Sequence, residues 1–245
     1  MGEDMPRDEK KTPDLGAGDA PATRRRAAAE PLTRERIVAA ALAIIDEDGL
    51  EALSMRRLGR RLGVDPMAVY YHMPNKAAVY DAILDEVVGA LADLDLPMEA
   101  DLETFVVCAG RAYWDLLLAH PRAMPLITSR PLRTEHTLAV AEMLLTHFED
   151  AGLTPEEGIA AVNAFGHLVE GAVIGYAQTV AGGEVHDEAT PEDASARLDP
   201  VRFPRLARAA GEVGFRRFAW EFEFALRVLA RGFAATASRR GGGAS

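Results

Sequence analysis

Cysteine is almost absent from this chain: Cys108 is the only one in 245 residues. A single thiol excludes an intrachain disulfide and fits a reducing cytoplasm. Long uninterrupted apolar runs are also missing; none approaches the roughly eighteen residues of a membrane-crossing helix, and no signal-peptide pattern opens the chain. A soluble, cytoplasmic protein without a membrane partner is the expectation. Aromatic residues are sparse at 7%, while hydrophobic content reaches 49%, with Ala and Leu leading. That balance points to an all-α globular fold. Catalytic signatures are lacking too: there is no phosphate-binding glycine loop, no H-E-x-x-H, no C-x-x-C and no G-x-S-x-G. A helical enzyme remains only as an alternative without support, and no cofactor is expected.

Positive charge is scarce overall, with a formal net charge of −11, which by itself argues against a nucleic-acid partner. The charge is unevenly divided, however. Residues 24–80 carry 10 Lys/Arg and 7 Asp/Glu, and the remainder carries 17 and 31. A modestly basic head on an acidic body would orient the protein on DNA.

The head centres on Ser54 to Lys76, SMRRLGRRLGVDPMAVYYHMPNK. Ser54 is a good N-cap, Leu58 and Leu62 share one helix face, and Gly63 is a natural stop. Asp65 then caps a second helix whose first residue is Pro66, where a missing N–H is no loss. Two short helices joined by a glycine turn form a helix-turn-helix pattern. With Val69 turned inward, Met67 and Tyr71 face outward, flanked by Ala68 and Tyr70 and followed by His72 and Lys76. Arg56, Arg57, Arg60 and Arg61 face a single acid, Asp65, across the stretch. Cations and phenolic hydroxyls suit phosphates, and a major groove admits such a helix. The plain alternative is an amphipathic helix pair with a solvated basic face.

From Leu32 through about Leu94 the chain resembles the TetR family of one-component transcriptional repressors. LTRERIVAAALAIIDEDG, LSMRRLGRRLGVDPMAVYYHMPNK and AAVYDAILDEVV carry the likeness. It implies a recognition helix with DNA contacts at Arg56, Pro66, Met67, Ala68, Tyr70, Tyr71, His72 and Lys76. TSRP and AFGHLVEGAV resemble the C-terminal domain of the tetracycline-repressor subfamily, in which helices 8 and 10 of two subunits form a four-helix bundle. That implies a homodimer. Leu126 and Gly175 stand where that subfamily has a magnesium-binding histidine and an acidic helper, so a tetracycline–magnesium effector is not expected. Pro66 stands where it has a base-reading glutamine, so readout through thymine methyls at a different palindrome is expected.

Along the chain, residues 1–31 lack apolar periodicity and read as a disordered extension, with Arg24, Arg25 and Arg26 as an arm or a solvated tail. The DNA-binding domain is placed at 32–80. Its first helix runs from Thr33 to Gly49 with Ile37, Ala41, Ile44 and Ile45 inward. A fourth helix, from Asn75 to about Leu94, carries Val79, Ile83, Val87 and Leu91 on one face and leads into a ligand-binding and dimerisation body at 81–238. There, helices are expected at Asp101–Ala119, at about Arg133–Asp150 (helix 7), from Thr154 (helix 8), and from about Gly211 to Thr236 (helix 10), the last with a Phe215, Phe218, Phe222, Leu226 stripe. A mobile loop is expected at about 182–199 and a frayed tail at 239–245.

Candidate liners of an apolar cavity are Phe105, Cys108, Tyr113, Met143, His147, Asn163 and His167. Each has a plain reading as a core residue. His136 and His147 sit eleven residues apart on one helix, about 16 Å, too far to chelate one metal ion. The expectation is a homodimeric repressor that leaves a palindromic operator when a small, mainly apolar molecule binds. A DNA-binding regulator without an effector is the alternative.

Overall fold

Short polar side chains turn back onto the backbone at the start of most of this chain's long helices. In the computed structural model, which describes residues 31–181, 196–213 and 218–241, Thr33, Ser54, Asp65, Asn75 and Asp101 each accept a backbone N–H within the first turn of the helix that follows. Thr154 and Glu157 cap each other reciprocally, the hydroxyl accepting from Glu157 N–H at 3.3 Å and the carboxylate from Thr154 N–H at 2.9 Å. The resulting helices are α1 (Arg34–Asp48), α2 (Met55–Leu62), α3 (Pro66–His72), α4 (Lys76–Val87), α5 (Leu102–Ala119), α6 (Met124–Ser129), α7 (Glu135–Asp150), α8 (Pro155–Ala181), α9 (Pro204–Val213) and α10 (Phe218–Gly241). No strand occurs among the described residues, so the all-α expectation holds.

In the head, Ile37, Ala41, Ile44 and Ile45 of α1 meet Leu58, Val69 and Ile83 in a core from which water is excluded. Gly63 ends α2 with φ 69°, the left-handed conformation that a side chain would disfavour. In the body, α5 lies between α8 and α10. Leu226 of α10 seats directly over Gly110, where an added Cβ would come within 2.6 Å of its Cδ1. Trp114 stacks on Phe222 at 4.5 Å beside it. Head and body share one continuous apolar cluster.

Three boundaries differ from the sequence expectation. α4 stops at Val87 and tightens into a 3₁₀ segment, Gly89–Asp93, instead of continuing to about Leu94. Gly89 is a poor helix former, and His136 of α7 packs so closely on it that a Cβ there would lie 2.7 Å from His136 Cβ. The expected stripe of Val79, Ile83, Val87 and Leu91 is nevertheless buried throughout. Helix 7 starts at Glu135, after a capping box between Thr134 and Thr137. In the stretch expected as one helix from about Gly211 to Thr236, Gly211 belongs to the last turn of α9, α10 runs from Phe218 to Gly241, and residues 214–217 lie outside the described residues.

Phe215, the arginines 24–26 and all or most of residues 1–31, 182–199 and 239–245 lie outside the described residues. One feature of α8 was not anticipated. Residues 155–179 are long and apolar enough to cross a membrane by length and composition, with mean hydropathy 1.3, although only 28% of that window is buried.

Candidate nucleic-acid interface and effector cavity

Asp65 and Pro66 start α3 as their chemistry dictates. Asp65 Oδ1 accepts from Met67 N–H at 2.8 Å, and Pro66 occupies the first helical position. The helix buries Val69, and Met73 just beyond it anchors the end. The rest of the helix looks outward: Met67 is 71% and Tyr71 88% exposed, Tyr70 and His72 are exposed, and Pro66 and Ala68 are half-buried on the flank. At that exposure Met67 and Tyr71 contribute little to packing within the chain. They form a ridge of the size a major groove admits.

The four arginines of α2 do two different jobs. Arg57 pairs with Asp48, and Arg61 grips Glu47 with two hydrogen bonds of 2.6 Å, so both fasten α2 to the end of α1. The Arg61 hydrogen bonds hold the Glu47 carboxyl below its ordinary pKa. Arg56 and Arg60 are exposed and have no partner among the described residues. Lys76 opens α4 with its ammonium 5.2 Å above the Tyr80 ring. The cations left for a polyanion are therefore Arg56, Arg60 and Lys76, not the whole basic face the sequence suggested.

A cavity of about 570 Å³ opens in the body, a size suited to a drug-like molecule. Its walls are largely apolar, with Val88, Leu91, Val140, Leu144 and Phe165 among them. Its polar groups are Tyr113 from α5, Thr128 and Ser129 from α6, Arg130 just after it, and Asn163, His167 and Glu170 from α8. Tyr113 Oη donates to Glu170 Oε1 at 3.0 Å. Burial pushes the Glu170 carboxyl above its ordinary pKa against the opposing pull of Tyr113 and His167, and burial drives the Tyr113 phenol well above its own.

The Glu170 shift has a testable sign. Because its folded-state pKa is raised, this carboxyl's contribution to stability is full below its unfolded value and is lost as pH rises through the folded one. Glu170→Gln should therefore melt higher than wild type at neutral pH, and the gap should close by about pH 4. Circular-dichroism melts across that range test it; a gap independent of pH would show that charge burial is not the cause.

Residues 120–130 join this cavity to the head. His120 Nδ1 lies 2.8 Å from Asp46 Oδ2, and Arg122 donates to the Glu47 carbonyl at 2.5 Å, both in α1. Arg130 donates to Asp81 of α4 at 2.5 Å and lies 5.6 Å over the Tyr80 ring. Ile127, Thr128, Ser129 and Arg130 of the same stretch line the cavity.

Comparison with known proteins agrees with this geometry. Residues 37–83 match the family of bacterial regulatory proteins named tetR, and residues 96–237 match the tetracyclin repressor-like C-terminal domain. An HTH-type transcriptional regulator of Saccharopolyspora erythraea is 33% identical over 214 residues, covering 84% of this chain and 86% of that protein. The chain belongs to the TetR family. The HTH-type transcriptional repressor DrrR1 of Streptomyces coeruleorubidus is 34% identical over 152 residues, 60% of this chain and 53% of that one. Apo ActR from Streptomyces coelicolor superimposes with a TM-score of 0.73 at 24% identity, covering 86% and 99% of the two chains, a likeness of fold. As a TetR-family protein, this chain is a DNA-binding transcriptional regulator.

Of the expected cavity residues in this TetR-family body, Tyr113, Asn163 and His167 line the cavity. Phe105, Cys108, Met143 and His147 do not. Phe105 is fully buried and stacks on His147 at 3.7 Å. The imidazole nitrogens of His147 lie 2.9 Å from the Met143 carbonyl and 3.1 Å from the Met98 carbonyl. Met143 packs against the core, and Cys108 is a half-buried free thiol. Phe105 and His147 thus face each other across α5 and α7 rather than the opening. Arg130 and Glu170 were not anticipated as cavity residues. Glu170 had a visible signal: between Gly158 and Ala181 it is the only charged side chain in an apolar helix. Arg130 had none, since its place depends on where α6 ends against α4.

Proposed function

We propose that this TetR-family protein is a homodimeric repressor that leaves its operator when a small molecule enters the body cavity. The observation that carries this reading is the position of α4. Its first residue, Lys76, follows the exposed ridge of α3, and its middle, at Tyr80 and Asp81, is held by Arg130 of the cavity wall. Residues 32–80 act as the DNA-binding domain and 81–238 as the ligand-binding and dimerisation domain, with cytoplasmic action by binding rather than catalysis.

Arg56 and Lys76 contact phosphates, with Arg60 added by its exposure. Pro66, Met67, Ala68, Tyr70, Tyr71 and His72 face the groove, and thymine methyls are read by apolar contact. Dimerisation through α8 and α10 is supported by apolar side chains left exposed on α10, including Phe224 and Val228. It also accounts for a helix as apolar as α8 being so little buried in one chain. Two-fold symmetry then calls for a palindrome with half-sites about one helical turn apart.

Operator binding tests the reading. With two subunits neutralising roughly six to eight phosphates, log K should fall against log salt with a slope near −5 to −7. Lys76→Ala should weaken all sequences alike and flatten the slope, while Arg61→Ala should act mainly by lowering head stability. A slope near zero would refute the DNA-binding role. Selection from random DNA that returned the tetracycline operator would refute the thymine-methyl readout. A thermal-shift screen addresses the sensor role, since a bound ligand stabilises the fold by mass action. If no compound changes operator affinity, the protein is a regulator without an effector.

A further inference from the structure

We propose that the effector is a cation: a flat or branched apolar scaffold carrying one protonated amine, which sits against Glu170. This deepens the sensor reading above and rests on it. The cavity wall carries one acid and one strong base, and their charges are not equally available. Arg130 spends its charge outside the cavity, on Asp81 of α4 and over the Tyr80 ring. Among the described residues Glu170 has no ion pair; its contact is the Tyr113 hydroxyl at 3.0 Å. His167, one turn away on α8, favours the anion through space without forming an ion pair with it. The uncompensated group facing the cavity is thus a carboxylate among Leu144, Phe165 and Val162.

Burial disfavours that carboxylate's charged form, and a cation entering beside it would restore the charge it resists holding. A carboxylate has about four acceptor positions, and Tyr113 uses one of them. An anionic guest meets repulsion there, and a neutral one leaves the acid as it was. The apolar walls contribute affinity to any guest that fits, so charge preference separates this inference from the mere existence of the cavity.

Three tricyclic probes of nearly equal shape provide the test: 9-aminoacridine, cationic at neutral pH, 9-anthracenemethanol, neutral, and 9-anthracenecarboxylate, anionic. Each is titrated by fluorescence into the full-length dimer without DNA, at fixed ionic strength. Wild type should bind the cation roughly ten- to hundredfold more tightly than the anion, the range for a hydrogen bond to a charged group. Glu170→Gln and Glu170→Met, both near in volume, should erase most of that preference while still binding the neutral probe. The remaining surface stays acidic in both variants, so a nonspecific attraction for cations would survive the substitution. Probes that bind without charge preference, or a preference that persists in both variants, would overturn the inference and leave the sensor reading intact. Failure of all three probes to bind wild type would overturn the open cavity, and both readings with it.

Discussion

Gly59→Val is expected to weaken operator binding at least thirtyfold while leaving the body folded and dimeric. Gly59 is buried in the middle of α2, facing the turn that leads into α3. An added Cβ would lie 3.1 Å from Pro66 N, 3.1 Å from the Val64 carbonyl oxygen and 3.2 Å from Pro66 Cα. All three are backbone atoms, so no side chain can swing aside, and valine brings two further methyl groups. In free protein the head relaxes by displacing α3. On DNA both recognition helices must return to their native places, and overpacking of this kind costs about 1–3 kcal/mol per site. For two heads that becomes roughly a thirtyfold to more than ten-thousandfold loss of affinity. Gly59→Ala should lose less, because a shift of a few tenths of an ångström accommodates it. Fluorescence anisotropy on operator DNA reads the effect, with dimer mass and body melting measured alongside. Near-wild-type affinity in Gly59→Val would mean that α3 is not the recognition helix.

The second large effect concerns the link between cavity and head. Ligand coupling of typical size, about 1–3 kcal/mol, corresponds to roughly 5- to 150-fold loss of operator affinity. It arises only from the ligand's preference for the non-binding arrangement, whatever its affinity. The Arg130–Asp81 pair has side chains 29% and 39% exposed, and such a pair is worth about 0.2–1 kcal/mol. The pair alone therefore carries only part of the coupling. The guanidinium over Tyr80 adds about 0.5–1 kcal/mol, and together the two contacts match the lower half of the range.

Asp81→Asn should accordingly weaken induction modestly. Arg130→Met, which keeps much of the side-chain volume, should reduce coupling roughly 3- to 30-fold. Both should bind operator within a few-fold of wild type when unliganded. Asn163→Trp, which fills the cavity from α8, should abolish induction by excluding the ligand. Any compound that releases operator from wild type serves as the reagent, and its affinity without DNA must be measured for each variant. Retained ligand affinity with lost release assigns Arg130 to transmission; full induction in Arg130→Met would place the lever elsewhere.

What could be read from the sequence was what local chemistry decides. Caps such as Ser54, Asp65, Asn75 and Thr154, the Gly63 stop and the apolar spacing of α1 act within a turn or two, so they identified these helix starts and the helix-turn-helix without a structure. The outward face of α3 followed from helical geometry once Val69 was placed inward. The uneven charge was visible as composition, and so was Glu170 as the one charged side chain between Gly158 and Ala181.

Only tertiary structure decided which charges are spent. Arg56 and Arg57 are neighbours with the same side chain, yet Arg57 reaches Asp48 while Arg56 reaches nothing among the described residues. The 3₁₀ segment after Val87 depends on His136 closing over Gly89, a contact between residues far apart in the chain. The cavity belongs to the same class. A helix presents several faces of similar character, and spacing does not tell which of them meets another helix. So Phe105 and His147 stack on each other, while Arg130 and Glu170, separated by forty residues of sequence, come to share one wall-lined space.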